Sequence, residues 1–404
     1  MDIRRRYPSR VFSIFFILFI LPALDMATGK FLNLGYLHEG GFGSPSQLGR
    51  FVGIFFVISV YFRFKVTKVF VFCVFLVFLF ELILGVLSHN NFRGVMFGLL
   101  SGVRFVSLIL FYRLFKEVYR KFPLFFSKCF IFHVYFITLS MIFAFVTQTG
   151  ISTYGWGWGT RGYFASGNGI GVYIGVATLI GFHLFNCFNL QYKEIKILLF
   201  MLTSIVALIL LGTKTSLIFS FILLVSVTLH IKALRFILFL SLPLLINSIG
   251  GGFLKLFDLF SVLSSRYAQS ESFSAFIFSG RDDYVSNAFA VFFNSDPSIF
   301  RYIFGAGAYA SYQDVRNVIF FDTLETDLFD IFFMYGLFGA SIYLLIFLIL
   351  FLRGWRYPFV FLPSVLLFSH SLFAGHVLQN GLVCLLVPVL FAIAQDIGDR
   401  KWFL

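Results

Sequence analysis

The sequence predicts an all-α polytopic membrane protein, and three observations carry that prediction. The chain of 404 residues is 59% hydrophobic and 12% charged, with a mean hydropathy of +0.94, against about 45–50% and about 25% for an ordinary soluble domain. Its apolar runs recur at the about 17–25 residues needed to cross a bilayer. Lys and Arg fall in short clusters between those runs, as in cytoplasmic loops. A formal charge of +13 would suggest nucleic acid in a soluble chain. Distributed in this way it suggests topology instead, so the expected partner is the lipid bilayer and nucleic acid is not.

The elements follow from the N-terminus. MDIRRRYPSR before VFSIFFILFILPAL has the basic flank and apolar run of a secretory signal. It lacks a small-x-small cleavage site, so an uncleaved first helix is expected. Twelve spans are predicted, at 10–28, 47–64, 67–88, 95–115, 124–147, 166–188, 195–212, 214–230, 233–250, 328–352, 358–374 and 377–395. With the N-terminus inside, most of the 31 Lys and Arg lie in inside segments, among them Arg4–Arg6, Lys65 and Lys68, Arg120 and Lys121, Arg353 and Arg356, and Arg400 and Lys401. Both termini are therefore expected in the cytoplasm.

Three regions result: helices 1–9 over 1–250, a large outer loop over 251–327, and helices 10–12 with the C-terminus over 328–404. The inside loops are too short for a cytosolic catalytic or nucleotide-binding domain. More than half of the 18 acids fall within 251–330, so soluble-phase chemistry is expected there. A smaller outer loop, QTGISTYGWGWGTRGYFASGN at 148–168, offers Trp156, Trp158 and Tyr163 either as a platform for a sugar ring or as interfacial anchors. Cys73, Cys129, Cys187 and Cys384 have no metal or redox spacing and read as core fillers. The absence of an internal repeat argues against a secondary transporter.

The charged candidates each carry two readings. Lys214, between two apolar runs, is a site residue or a snorkelling helix-end lysine. Arg281 in FSGRDDY and Arg161 in WGTRGYF are site residues or surface ion pairs. Asp322, Glu325, Asp327 and Asp330 crowd the start of the tenth span, where carboxylates cap a helix and suit its dipole, yet four acids exceed that need. Glu81 and Arg104, inside spans three and four, are expected to pair with each other.

In their order along the chain, these pieces resemble the O-antigen polymerase and O-antigen ligase superfamily of bacterial envelope glycosyltransferases, from about residue 160 onward. The matching elements are Arg161, Gly162, Phe164 and Asn168; the turn Gly212-Thr213-Lys214-Thr215; Gly280-Arg281; Gly305-Ala306-Gly307; and Glu325, eleven residues before Gly336-Leu337-Phe338-Gly339. Lys214 stands where the family usually has Arg. Glu325 stands where ligases have His, which favours a polymerase.

The resemblance implies a GT-C-like bundle in the bacterial inner membrane. It also implies transfer of a growing glycan from undecaprenyl diphosphate to an incoming lipid-linked repeat unit, without cofactor or metal, and with a chain-length regulator as a further partner. On that reading Lys214, Arg281 and Arg161 hold the diphosphate, and Glu325 is the general base with Asp327 as second choice. Asp322 and Asp327 beside Glu325 would raise its basicity. Asn168, Tyr163, Asp322 and His376 contact substrate. The alternatives are a ligase acting on lipid A core and a flippase for the same lipid-linked sugar.

Overall fold

A computed structural model describes residues 8–37, 44–61, 65–87, 92–153, 159–187, 193–231, 267–268, 280–295, 299–309, 311, 324–375, 377–378 and 380–399. Among them the regular structure is helical apart from one isolated antiparallel bridge, Ser152 with Thr160. The helices are α1 (Pro8–Phe15), running through a π-helical turn at Phe16–Ile20 into α2 (Leu21–Asn33); α3 (Pro45–Tyr61); α4 (Lys65–Leu87); α5 (Phe92–Lys121); α6 (Pro123–Val146); α7 (Gly167–Asn186); α8 (Lys193–Leu211); α9 (Lys214–His230); α10 (Arg281–Ser295); α11 (Ile299–Phe304); α12 (Asp327–Gly354); α13 (Pro358–Phe373); and, after a 3-10 turn at Val383–Leu385, α14 (Leu386–Asp399).

The described residues are nearly all helical, with helices long and apolar enough to span a membrane. Among the described residues, six stretches are long and apolar enough to cross: Ser9–Asn33, Gly94–Lys121, Pro123–Val146, Gly167–Asn186, Lys193–Leu211 and Asp327–Gly354. Pro45–Val60, Lys214–His230, Pro358–Phe373 and Val383–Gln395 are apolar but shorter. The span expected at 233–250 lies outside the described residues. Exposed Val71, Phe72 and Phe75 on α4 give that helix the surface of one that faces lipid tails.

The chain divides into two compact units, residues 1–130 with 281–404, and residues 131–280. In the second unit α7, α8 and α9 pack on one another. The window of α7 is 83% buried, which makes it the central helix. Its glycines are the reason the neighbours approach: a Cβ on Gly175 would collide with Phe219 of α9, and one on Gly181 with Phe200 of α8. Thr178 Oγ1 donates to Ser204 Oγ across α7 and α8 at 2.9 Å, a polar tie of the kind that joins helices in lipid.

In the first unit α5 packs against α4 and α14, and α12 against α11 and α13. Gly94, Gly98 and Gly102 form a stripe on α5, where added Cβ atoms would meet Tyr309, Glu81 and Val77 respectively. Four-residue spacing of glycines is the signature of close helix approach in membranes.

The segment expected as a long outer loop, 251–327, contains α10 and α11. They are held by an apolar cluster of Ala288, Phe292, Ala308, Leu324, Phe333 and Met334. Arg301 lies over the Phe292 ring at 4.5 Å, a cation–π contact. Aromatic burial, invisible as a periodic pattern in this mixed stretch, is what holds α10 and α11.

Candidate active site

The first unit builds its site around a broken helix. Within α12 the backbone of Gly336 leaves the helical region at φ 65° and ψ −162°. The break releases Phe333 and Met334 carbonyls from their usual i+4 partners. Ala306 N–H donates to Phe333 O at 3.1 Å and Gly307 N–H to Met334 O at 2.9 Å. A Cβ on Gly305 would run into the Met334–Tyr335 peptide, and one on Gly336 into the Ile303–Phe304 peptide. The two glycine motifs noted in the sequence are thus halves of one joint, backbone against backbone.

Glu81 supports that joint from α4. Buried at 3% exposure, it accepts the Ala308 N–H at 3.1 Å and lies against Gly98, with the Tyr335 side chain beside it. The expected Glu81–Arg104 pair is therefore corrected. Glu81 caps a turn, because a buried carboxylate needs a donor and the Ala308 amide supplies one.

At the mouth of α12 stand the acids. Glu325 sits at φ +57°, a left-handed conformation that costs a non-glycine residue about 1–2 kcal/mol and marks sites where strain is retained. Gly375 packs directly on the Glu325–Thr326 peptide, which holds the kink in place. The Glu325 side chain, 38% exposed, forms an ion pair with Arg281, whose own side chain is 9% exposed. Arg281 opens α10. Its partner is thus an acid 44 residues away in the chain, not the adjacent Asp282 or Asp283, and the pair is half-buried instead of lying on the surface.

Asp327 faces the other way. It is fully buried, and its Oδ2 accepts from Ser371 Oγ at 2.6 Å, Val377 N–H at 2.8 Å and Leu378 N–H at 3.2 Å. Ser371 in turn receives the Tyr343 hydroxyl at 2.9 Å. Asp330, also buried, accepts the Leu324 N–H at 2.9 Å. Both therefore serve as anchors, Asp330 as a cap on the entering chain and Asp327 as the tie between α12 and the segment leading to α14. The side chain that the structure brings onto Glu325 is the Arg281 guanidinium, while Asp327 faces its own donors. Asp322 and His376 lie outside the described residues.

Arg161, Tyr163, Asn168 and Lys214 belong to the second unit. There residues 148–153 pair with residues 159–166, with Ile151 N–H to Gly162 O at 2.6 Å and Arg161 N–H to Ile151 O at 2.9 Å. It docks on the C-terminus of α8: Thr160 N–H donates to Leu210 O at 2.8 Å and Thr153 Oγ1 to Leu211 O at 2.9 Å. Those are carbonyls a helix end leaves open. Ser166 caps α7 by accepting from Gly169 N–H, and Thr213 caps α9 by accepting from Ser216 N–H.

The two helix starts adjoin, for a Cβ on Gly171 of α7 would lie 3.6 Å from Thr213 Oγ1. Lys214 is the first residue of α9, where the helix dipole favours anions and disfavours a cation. Arg161 is joined to Ala165 O, and Asn168 lies half-buried in the first turn of α7. Tyr163 shares a 2.5 Å hydrogen bond with Thr149; Trp156 and Trp158 lie outside the described residues.

Sequence reasoning missed Ser371, Gly375 and the glycine stripe of α5. Only the last had a sequence signal, the spacing of Gly94, Gly98 and Gly102. Among the described residues no three His, Cys, Asp or Glu side chains gather as a metal ion would require, and the four cysteines are free. No protein-family model matches the chain, and no curated protein does.

Proposed function

We propose that the protein is a surface-polysaccharide polymerase of the O-antigen type. It joins oligosaccharide repeat units carried on undecaprenyl diphosphate at the outer face of a bacterial inner membrane. The observation that carries this reading is the Arg281–Glu325 pair at the mouth of the broken helix α12, with Glu325 held in a left-handed conformation.

In the resting pair the carboxylate and guanidinium neutralise each other. A donor diphosphate competes for Arg281 through charge-assisted hydrogen bonds and leaves Glu325 free to take the proton of the acceptor hydroxyl. The acceptor oxygen then bonds to the anomeric carbon as the sugar–phosphate bond breaks, and its electron pair departs with the polyprenyl diphosphate. Arg281 stabilises the charge on that leaving group. Lys214 and Arg161 belong to the second unit, where a lysine in the first turn of a helix adds positive charge to an N-terminus that already attracts an anion. The donor is activated, so no nucleotide or metal enters the scheme.

The test is chain growth by purified protein supplied with lipid-linked repeat units alone. Product ladders support the polymerase. Transfer only to a lipid A core acceptor makes it a ligase, and transbilayer movement without transfer makes it a flippase.

A further inference from the structure

A strained backbone persists only where the contacts around it over-determine it, and for Glu325, at φ +57°, those contacts can be traced. Gly375 lies so close to the Glu325–Thr326 peptide that a Cβ there would collide with it. Gly375 is itself left-handed, at φ +59°, just past the end of α13, where a glycine turns the chain out of a helix. A little further on, the Val377 and Leu378 N–H groups both donate to Asp327 Oδ2. The chain leaving α13 is thus fastened to the start of α12 at two places, by packing at Glu325 and by hydrogen bonds at Asp327.

The same carboxylate oxygen is reached from among the helices. Ser371, in the last turn of α13, donates to Asp327 Oδ2 at 2.6 Å, and the Tyr343 hydroxyl donates to Ser371 Oγ at 2.9 Å. Both side chains are buried. Tyr343 belongs to the half of α12 beyond the break at Gly336 and Asp327 to the half before it, so two hydroxyls brace the broken helix through α13. Buried among apolar residues, these hydroxyls have no water to turn to, which makes each bond in the chain costly to lose. We infer that Tyr343 and Ser371 are positioning residues for Glu325: through Asp327 and Gly375 they hold it in the left-handed turn that presents its carboxylate to Arg281. Their effect on catalysis rests on the polymerase reading, whereas their hold on residue 325 does not.

The test reads stability and rate separately on the purified full chain in detergent. Ser371→Ala removes a donor from Asp327 and lets residue 325 relax out of the left-handed region, so that released strain offsets part of the loss. The Glu325→Gly backbone carries no such strain. Ser371→Ala should therefore lower the melting temperature about 1–3 °C more in the Glu325→Gly background than in the wild type or in Glu325→Gln, which keeps the Cβ. With lipid-linked repeat units as substrate, Ser371→Ala should lower kcat per folded molecule by about tenfold to a hundredfold and leave the donor KM unchanged. Tyr343→Phe keeps the ring and the Ser371–Asp327 bond and should move both readings the same way by less, so the test survives if Ser371→Ala fails to fold. Equal losses of melting temperature in the three backgrounds, or an unchanged kcat per folded molecule, would overturn the positioning role. A wild type that transfers nothing would end the polymerase reading, and the melting temperatures would still decide whether the two hydroxyls hold residue 325.

Discussion

Glu325 and Asp327 are two residues apart and do opposite things, which sets the sharpest tests. Glu325→Gln keeps shape and hydrogen bonding but cannot take a proton, so transfer should fall by about 10²–10⁴-fold with the melting temperature little changed. Asp327→Asn presents an amide to an oxygen site served by Ser371, Val377 and Leu378, and should cost about 1–3 kcal/mol of stability, read by thermal unfolding in detergent. If Asp327→Asn abolishes transfer with stability intact, the roles exchange. Arg281→Ala should silence polymer formation. Arg281→Lys should retain a part of it if charge alone is needed and little if both guanidinium arms are used. Motif order made Arg281 and Glu325 legible in the sequence. The inward turn of Asp327 was not, because the helical phase of the apolar run is broken at Gly336, between that run and Asp327.

The broken helix α12 depends on contacts that no hydropathy profile contains. Gly305-Ala306-Gly307 and Gly336 are far apart in the sequence, and nothing in their spacing says they meet. The structure shows two peptides stacked where side chains would normally lie. Gly336→Ala adds a methyl group to a filled space at a positive φ. Overpacking of this kind costs about 1–3 kcal/mol, with further backbone strain, so both thermal stability and polymer yield should drop. The glycine stripe of α5 was legible in principle from its spacing, whereas the partner it serves, Glu81, was assigned to Arg104 because both sit in apolar runs. A backbone amide answered the buried carboxylate instead, and amides leave no mark in composition.

Membrane insertion was legible from composition, since a chain this apolar has only lipid in which to expose residues such as Phe72 and Phe75. The division into two units was not, because contacts between 1–130 and 281–404 are tertiary and carry no local pattern. Orientation follows from the distribution of Lys and Arg and is testable on the whole protein. A reporter fused within 255–320 should read as periplasmic, and one fused after Lys401 as cytoplasmic. Reversal of the two would put Glu325 and Arg281 on the wrong side for a flipped substrate and end the proposed mechanism.

The stacked peptides at Gly305 and Gly336 also limit how this protein can change over generations. A knob fitted into a hole can drift, since a larger knob is rescued by a smaller neighbour across the contact. Here both surfaces are already at the minimum, and neither position has an atom to give up. A selection for suppressors of Gly336→Ala should therefore return reversion to glycine and no compensating change at Gly305. Change at the polar mouth of α12 then runs through the residues around the joint, while the joint itself stays fixed.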